Sequence, residues 1–254
     1  AHHMELAAAK AADHVVAITE ALREWLVDYG VPNHKITVIP NAVDLSQFTA
    51  LPADQELLRK LNLHSKLVIG YIGSFVGYEG LDILLEAVAK LPVERRHKIR
   101  LLWVGDGAEL KPLLQLAAEL GIADLVISLG RQPFADMPRY YSLVDICVFP
   151  RRGVEVCEII SPLKPFEAFA MQKAVIVSDV RPLREIVQHG VTGMVFEKDN
   201  PDSLCAQLET ILSQPELRRN YAKAGYEWVV QERSWDRIAG RLTDLYQELQ
   251  RVAA

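Results

Sequence analysis

Cysteine is scarce in this sequence: three residues among 254 carry a thiol, Cys147, Cys157 and Cys205. Their number is odd, and their spacing does not match that of metal ligands. Disulfide frameworks of secreted proteins use paired cysteines, whereas unpaired cysteines are typical of reducing compartments. The sequence therefore predicts a reduced protein, and we expect a cytoplasmic location. Cys157 is interpreted as a small hydrophobic residue rather than a reactive thiol.

An excess of basic residues is also absent. Lys and Arg number 28 against 33 Asp and Glu, which gives a formal net charge of −5 and an isoelectric point of about 5.8. Nucleic acids and anionic membranes select a basic surface, so neither is expected as the main partner. No apolar run approaches the roughly 20 residues that span a bilayer, and we expect no transmembrane segment.

What is present is an ordinary globular composition, with 50% hydrophobic and 24% charged residues. Several short runs are apolar at every position, as in strands that helices cover on both faces. Eight strands are predicted, at residues 14–19, 35–39, 67–72, 99–104, 125–128, 145–149, 174–178 and 193–196. Helical patterns separate them, and three consecutive helices follow, at residues 202–212, 215–231 and 234–249. The predicted fold class is α/β, a doubly wound, Rossmann-like parallel sheet with a helical C-terminal tail.

The predicted elements are divided unevenly along the chain. Residues 1–4 are similar to the remnant of a histidine tag and are set aside. Residues 13–48 contain strand, helix and strand, whereas residues 66–196 suffice for a sheet of their own. We place a domain boundary near residues 48–54, which leaves residues 5–48 too short to form a sheet alone. At roughly 100–200 residues per domain, the length fits one large domain or one domain plus a fragment.

Ligands of open parallel sheets bind beyond the carboxyl ends of the strands, so residues that follow the predicted strands are candidates. These candidates are Gly73, Ser74, Gly105, Arg131, Gln132, Pro133, Arg151, Arg152 and Glu158. Glycines bring backbone amides close to a ligand, cations offset the charge of a phosphate, and carboxylates accept hydrogen bonds from hydroxyl groups. The combination predicts a phosphorylated, polyhydroxylated ligand.

The segment that precedes the seventh strand is the most informative. Pro162 and Pro165 lie just before or within the first turn of a predicted helix, where proline is preferred and backbone amides are free. Leu163 lies between them, Lys164 adds a positive charge, and Glu167 follows within about a turn. A carboxylate so close to an anion site is better used on a neutral hydroxylated group such as ribose. The segment therefore predicts a nucleoside diphosphate site that also binds a sugar.

Several of these features, taken alone, have an ordinary structural interpretation. The pair of glycines at 105 and 107 lacks the third glycine of a dinucleotide fingerprint and fits a simple strand-to-helix turn. Arg151 and Arg152 fit a solvated pair equally well. Glu79 fits the first turn of a helix, where the helix dipole favours a carboxylate.

Five stretches together carry a resemblance to a known family. They are residues 12–48, 69–88, 101–110, 162–196 and 234–249. In order and spacing they resemble the second half of the retaining glycosyltransferases of the GT-B fold, the group 1 glycosyl transferases, which use nucleotide-activated sugars. The resemblance implies that residues 49–232 form the donor-binding domain and residues 233–254 a crossover helix. It also implies that residues 5–48 are the remnant of an N-terminal, acceptor-side domain.

The resemblance assigns roles to individual residues. The family carries two glutamates separated by seven intervening residues, and the one that binds the donor ribose corresponds to Glu167. The other corresponds to Ile159, so we expect the preceding Glu158 to replace it as a catalytic contact to the donor sugar. The family's loop that contacts the nucleobase corresponds to Arg131, Gln132 and Pro133.

The family's two cations that neutralise the diphosphate fall near Ser74 and Glu79, neither of which is cationic. We expect Arg151, Arg152 or Lys164 to supply the missing charge, with Lys164 and Arg152 acting in catalysis. Gly73, Ser74, Gly105, Leu163 and Pro165 complete the expected donor site. No Asp-x-Asp pair is present to hold a metal ion, and neither a metal nor a cofactor is expected.

The resemblance implies the transfer of a sugar from a nucleoside-diphosphate sugar to an acceptor hydroxyl on a glycan, a lipid or a small molecule. Since the acceptor side is largely missing, we expect the chain to be inactive alone, with any membrane association made through the missing domain. One alternative is a non-catalytic nucleotide-sugar-binding module of the same fold, suggested by Ser74, Glu79 and Ile159. An NAD-type dehydrogenase is disfavoured because no complete GxGxxG motif lies in a βαβ unit.

Overall fold

The computed structural model of the protein describes the backbone of residues 2–253 and the side chains of residues 4–251. Ala1, part of the predicted tag remnant, lies outside the described residues. The strands are β1 Val15–Ala17, β2 Ile36–Val38, β3 Leu67–Ile72, β4 Ile99–Val104, β5 Val126–Ser128, β6 Ile146–Phe149, β7 Ala174–Ser178 and β8 Met194–Phe196. All eight predicted strands are confirmed, with ends that differ by at most two residues.

Thirteen α-helices connect and follow the strands within residues 2–253. They are α1 His2–Ala11, α2 Glu20–Asp28, α3 Gln55–Lys60, α4 Leu81–Lys90, α5 Val93–Arg96, α6 Leu110–Glu119, α7 Met137–Tyr141, α8 Glu155–Ile159, α9 Lys164–Ala170, α10 Arg181–Ile186, α11 Pro201–Ser213, α12 Pro215–Glu232 and α13 Trp235–Ala253. Among the described residues, none of these helices combines the length and the apolar composition needed to cross a membrane.

The main sheet has six parallel strands in the order β5-β4-β3-β6-β7-β8. If β3 is counted as strand 1, this is the order 3-2-1-4-5-6 of a doubly wound fold. Successive strands are added on one side of β3 as far as β5, and the next strand, β6, pairs with the other side of β3. Every residue of β6 and β7 is buried, as the continuous apolar runs predicted. The α/β fold class with a Rossmann-like parallel sheet is therefore confirmed.

Helix α9 is short, and aromatic side chains hold it in position. Pro165 lies in its first turn, and Phe166 and Phe169 are fully buried. Both rings pack against Trp228 of α12, with centroid-to-centroid distances of 6.2 and 5.9 Å. Burial of each large side chain contributes about 1.5–3 kcal/mol, so α12 holds the start of α9 in place below the sheet edge.

Strands β1 and β2 form a separate two-stranded parallel sheet near the N-terminus. The expectation that residues 5–48 are too short to form a sheet alone is therefore wrong. Helix α2 packs on it through its own small cluster, which includes Ala17, Leu26 and Ile36. The Thr19 hydroxyl donates a hydrogen bond of 2.6 Å to the Ile159 carbonyl, and the same oxygen caps α2 by accepting from the Leu22 amide. The N-terminal segment is thus hydrogen-bonded to the chain just before α9.

Helix α13 returns to the N-terminal segment. A bridge joins Val43 to Ser234, and the helix then packs Ile238 and Leu245 against Ile39 and Ala42. The apolar faces of residues 36–43 and of α13 therefore cover each other.

Replacement of Thr19 by alanine is expected to lower the free energy of unfolding by about 2 kcal/mol. Loss of an N-cap costs about 1 kcal/mol, and loss of a buried hydrogen bond costs about as much again. Urea denaturation measures the change. Thr210→Ala removes a comparable hydroxyl, bonded to the Ala206 carbonyl on an exposed helix face, and serves as the control. Equal midpoints for the two variants would contradict the anchoring role of Thr19.

Candidate functional site

A cavity of about 540 Å³ opens at the carboxyl ends of β3 and β4, beside the point between β3 and β6 where the strand order reverses. Its walls come from the loops that follow β3, β4 and β5, from the start of α7 and from the first turn of α9. The lining residues are Ile72, Gly73, Ser74, Val104, Gly105, Asp106, Arg131, Gln132, Pro133, Phe134, Met137, Lys164 and Glu167. This is the position at which doubly wound sheets bind their ligands.

The loops after β3 and β4 approach each other closely because position 105 has no side chain. Gly105 has a φ of +136°, and a Cβ atom built there would lie 1.9 Å from the Gly73 carbonyl oxygen. Backbone hydrogen bonds from Gly73 to Val104 and from Phe75 to Asp106, each 2.9 Å long, hold the two loops together. Gly105 therefore fixes the floor of the cavity, a more specific requirement than that of an ordinary turn.

Lys164 brings a positive charge to this floor from the first turn of α9. Its Nζ lies 3.0 Å from Oε1 of Glu79 and 5.4 Å from the centre of the Tyr71 ring. Its aliphatic stem passes so close to Gly73 that a Cβ atom there would meet it at 2.2 Å. The ammonium therefore lies against the backbone at the end of β3.

Glu167 reaches the cavity one turn further along α9. The Tyr141 hydroxyl donates a hydrogen bond of 3.0 Å to its Oε2. Burial raises the pKa of the Glu167 carboxyl above its usual 4.5, although the Tyr141 hydrogen bond and the charge of Lys164 oppose the shift. A partly buried carboxylate with acceptor capacity beyond the Tyr141 hydrogen bond suits hydrogen bonds from neutral hydroxyl groups.

The loop after β5 closes the far end of the cavity. Both polar atoms of the Gln132 side chain are hydrogen-bonded within the protein: Nε2 donates to the Leu129 carbonyl at 2.8 Å, and Oε1 accepts from the Tyr140 hydroxyl at 2.9 Å. Phe134 exposes 62% of its surface at the rim. A planar ligand group at this end would meet the backbone of the loop and the Phe134 ring rather than a free amide side chain.

Most of the predicted site residues are brought together by this cavity: Gly73, Ser74, Gly105, Arg131, Gln132, Pro133, Lys164 and Glu167 all line it. Leu163 and Pro165 do not line it, since Leu163 is the exposed N-cap of α9 and Pro165 is buried in its first turn.

Arg151 also lies outside the lining, directly beneath the cavity floor. Its side chain is only 5% exposed; Nη1 donates to the Ile160 carbonyl at 2.8 Å, and the guanidinium stacks on the Tyr78 ring at 5.4 Å. The interpretation as a solvated pair therefore fails for Arg151, and its buried guanidinium contacts no part of the cavity surface.

Arg152 and Glu158 are not brought to the cavity. Arg152 is turned away by ion pairs with Asp82 and Asp199 and lines a different, smaller pocket between α4 and α6. Glu158 pairs with Lys198 and accepts a hydrogen bond of 3.0 Å from the Arg181 amide. Both predicted catalytic side chains are thus engaged with other elements in this structure.

A buried carboxylate next to the cavity was also not predicted as a site residue. Glu79 is 3% exposed and forms the ion pair with Lys164, although its position before α4 also fits the helix-dipole interpretation. The available signal was its place after β3, where the resemblance calls for a cation and the sequence has a carboxylate. A buried carboxylate at this position needs a cationic partner from elsewhere in the chain, and Lys164 is that partner.

Two family models match this chain. The model described as "Glycosyl transferases group 1" matches residues 54–228, and the one described as "Glycosyltransferase Family 4" matches residues 1–47.

Curated relatives extend over almost the whole chain. The D-inositol 3-phosphate glycosyltransferase of Thermobispora bispora is 31% identical over 253 residues, covering 95% of this chain and 57% of that protein. The GDP-mannose-dependent alpha-(1-6)-phosphatidylinositol monomannoside mannosyltransferase of Mycobacterium tuberculosis is 29% identical over 239 residues, covering 91% of this chain and 61% of that protein. This chain therefore spans only about 60% of the length of these relatives.

Solved structures agree on the fold. Anabaena Alr3699/HepE in complex with UDP-glucose superposes with a TM-score of 0.87 at 21% identity, covering 97% of this chain and 67% of that one. Sucrose-phosphate synthase from Thermosynechococcus elongatus gives a TM-score of 0.84 at 26% identity, covering 98% of this chain and 61% of that one. The predicted GT-B, Rossmann-like architecture is confirmed. With the family model matching well over half of its residues, the chain belongs to the glycosyl transferases group 1 family.

Proposed function

We propose that the cavity binds a nucleoside-diphosphate sugar and that this chain is the donor side of a retaining glycosyltransferase. The observation that carries the proposal is the placement of Lys164 and Glu167, one cation and one carboxylate, in a single cavity between glycine-ended strands. The names of similar proteins support it, since one structure is a complex with UDP-glucose and one relative is named as dependent on GDP-mannose.

Each part of the donor's nucleoside diphosphate has a counterpart in the lining. The diphosphate lies near the Lys164 ammonium and the backbone at Gly73, where a fixed positive charge offsets its own. The ribose hydroxyls donate hydrogen bonds to Glu167, and the base rests on the loop at residues 131–133 beside Phe134. Arg152 and Glu158 have no part in this arrangement.

The chemistry follows from the leaving group. The bond between the anomeric carbon and the diphosphate oxygen breaks, and its electron pair leaves with the diphosphate. The acceptor oxygen forms a new bond on the same face of the sugar, and the leaving phosphate takes the acceptor proton. Charge that develops on the diphosphate is stabilised by Lys164, and an electrostatic donor of this kind accounts for about 3–4 kcal/mol of barrier lowering. No metal ion or cofactor is required for these steps.

The acceptor, a glycan, a lipid or a small molecule, binds to an N-terminal domain that faces the donor domain across a cleft. Residues 5–48 form only the last part of that N-terminal domain. Residues 49–232 form the donor domain, and residues 233–254 the crossover helix. Two observations support this division: the separate family-model match at residues 1–47, and the span of about 60% of the relatives' length. We expect this chain alone to bind the donor without transferring the sugar.

Isothermal titration calorimetry with UDP, GDP and ADP tests the proposal. At least one of the three is expected to bind with a dissociation constant between about 1 μM and 1 mM, the usual range of enzyme substrates. An absence of heat with all three, for protein shown to be folded by its thermal unfolding transition, would contradict donor binding. Tight NADH binding by fluorescence would instead favour the dehydrogenase alternative.

A longer protein that contains both sides of the cleft separates catalysis from binding alone. Release of the sugar or its transfer to an acceptor supports the glycosyltransferase proposal. Donor binding without transfer or hydrolysis would favour the non-catalytic module.

A further inference from the structure

A buried carboxylate lies directly beneath the donor cavity without reaching its surface. Glu79 occupies a 3₁₀ turn at residues 77–79, between β3 and α4, and its side chain is 4% exposed. Oε1 accepts a hydrogen bond of 3.0 Å from Lys164 Nζ and lies 3.7 Å from Arg151 Nε. Oε2 is buried and has no hydrogen-bond partner among the described residues.

The cluster contains two cations for one anion. Arg151 is held in place, because its Nη1 donates to the Ile160 carbonyl at 2.8 Å and its side chain is 5% exposed. Lys164 is 18% exposed and is the member of the cluster that lines the cavity. Arg151 also offsets the charge of Glu79, so Glu79 does not neutralise Lys164 alone, and the Lys164 ammonium faces the cavity together with the Glu167 carboxyl.

Stability alone does not account for such a cluster. Desolvation of buried charges costs several kcal/mol per ion, and a well-packed apolar pair of similar volume is often as stable or more so. A buried carboxylate next to a cavity-lining lysine can instead hold the ammonium group of that lysine in one position.

On the basis of the proposed donor site, we propose that Glu79 is a positioning residue that holds the Lys164 ammonium against Gly73, where the donor diphosphate binds. Without the carboxylate, two like charges would face each other below the cavity floor. Arg151 is locked by the Ile160 carbonyl, whereas Lys164 has a path to solvent. Lys164 is therefore the group that moves, and the cation leaves the diphosphate position.

The reactivity of Lys164 tests this positioning without any nucleotide. The full chain is treated briefly with acetic anhydride, and acetylation at each lysine is measured by mass spectrometry. Glu79→Gln is expected to raise the acetylation rate of Lys164 by about fivefold or more, in keeping with the coupling of contacting charged residues. Exposed Lys111 is the internal control, and its rate is expected to stay the same.

Two further variants keep this test decisive. Glu109→Gln removes a nearby carboxylate that lines the neighbouring pocket, and it is expected to leave Lys164 reactivity unchanged. Glu79→Asp keeps the charge but shortens the side chain, and it is expected to raise Lys164 reactivity at least twofold. If Glu79→Gln does not fold, the acetylation rate of Lys164 in Glu79→Asp tests the proposal. An unchanged Lys164 rate in both Glu79 variants would overturn the proposal.

Nucleotide affinity gives the second measurement, made with whichever of UDP, GDP and ADP binds the wild-type chain. Glu79→Gln is expected to weaken binding about tenfold, and to have no further effect in a Lys164→Met background. Equal losses in both backgrounds would mean that Glu79 acts independently of Lys164 and would overturn the proposal. If no nucleotide binds the wild type, the proposed function fails, while the acetylation rates still decide whether Glu79 positions Lys164.

Discussion

Lys164→Met is expected to weaken the binding of a nucleoside diphosphate by about 10- to 150-fold. A hydrogen bond to a charged group contributes about 1.5–3 kcal/mol, and this range of affinity corresponds to its loss. Methionine keeps most of the aliphatic stem that lies along Gly73 and over Tyr71. Glu79 still has Arg151 at 3.7 Å, so the variant does not leave a carboxylate buried without a counter-charge.

Calorimetry with the diphosphate and with the corresponding nucleoside separates this effect from general damage to the site. The diphosphate is expected to lose affinity, whereas the nucleoside, which has no phosphate, is expected to bind both proteins equally. Lys111→Met, at an exposed position of α6, is the matched control. An unchanged diphosphate affinity in Lys164→Met, with a loss in Arg131→Met, would assign the cation to the other basic residue of the lining.

In a longer protein with both sides of the cleft, the same substitution is expected to slow sugar transfer by about 100- to 1,000-fold. The effect on the rate exceeds the effect on binding because negative charge on the diphosphate grows as the anomeric bond breaks. Equal effects on binding and on rate would mean that Lys164 holds the donor but contributes nothing specific to the transition state.

Local sequence patterns were sufficient to predict the strands of the main sheet. Strands β3, β4 and β7 are apolar at nearly every position, the pattern typical of strands that helices cover on both faces. The carboxyl ends of such strands meet at one edge, so the sequence alone places Gly73 and Gly105 at the same edge of the sheet. The cavity itself was predictable for the same reason.

Side-chain direction was not predictable, because it depends on partners far away in the sequence. Arg151 and Arg152 are neighbours that leave the end of β6 in different directions, as successive residues of an extended chain do. One contacts the Ile160 carbonyl and is buried, while the other pairs with Asp82, 70 positions earlier. Glu158 is likewise held by Lys198, and no local signal indicated that partner.

Glu79 and Lys164 illustrate how a local exception can indicate a distant contact. A carboxylate, Glu79, stands where the resemblance calls for a cation, and Lys164 is a cation that lies at neither of the family's two cation positions. The two side chains meet at 3.0 Å although 85 positions separate them. The two departures from the family pattern are therefore one structural feature, a cation supplied from α9 instead of from the loop after β3.

Glu167→Gln is expected to make the donor bind about 10- to 150-fold more weakly while making the protein more stable at neutral pH. The weaker binding follows from the loss of the charged acceptor for the ribose hydroxyls, a contribution of about 1.5–3 kcal/mol. The gain in stability follows from burial, which raises the pKa of Glu167 above its usual 4.5 because the ionised form is poorly solvated. Glutamine removes that charge, and its amide oxygen still accepts a hydrogen bond from Tyr141.

The pH dependence of unfolding checks the stability part. A carboxyl whose pKa is higher in the folded than in the unfolded protein favours folding only when it is protonated, and it opposes folding above its folded pKa. The variant is therefore expected to exceed the wild type in free energy of unfolding at pH 7–8, and the difference is expected to shrink as the pH falls through the raised pKa toward 4.5. A difference that does not vary with pH would mean that the Glu167 charge is not the cause.

The binding part is best tested with matched ribose and deoxyribose nucleotides, because Glu167 is proposed to contact the ribose hydroxyls and not the phosphate. The wild type is expected to prefer the ribonucleoside diphosphate over its 2′-deoxy counterpart, and Glu167→Gln is expected to reduce that preference. Glu209→Gln, an exposed carboxylate on α11 outside the lining, is the control. If the preference survives in Glu167→Gln, the ribose is recognised by another group. If affinity falls equally for both nucleotides, Glu167 acts on the site as a whole, through Lys164 or the start of α9, and not on the sugar.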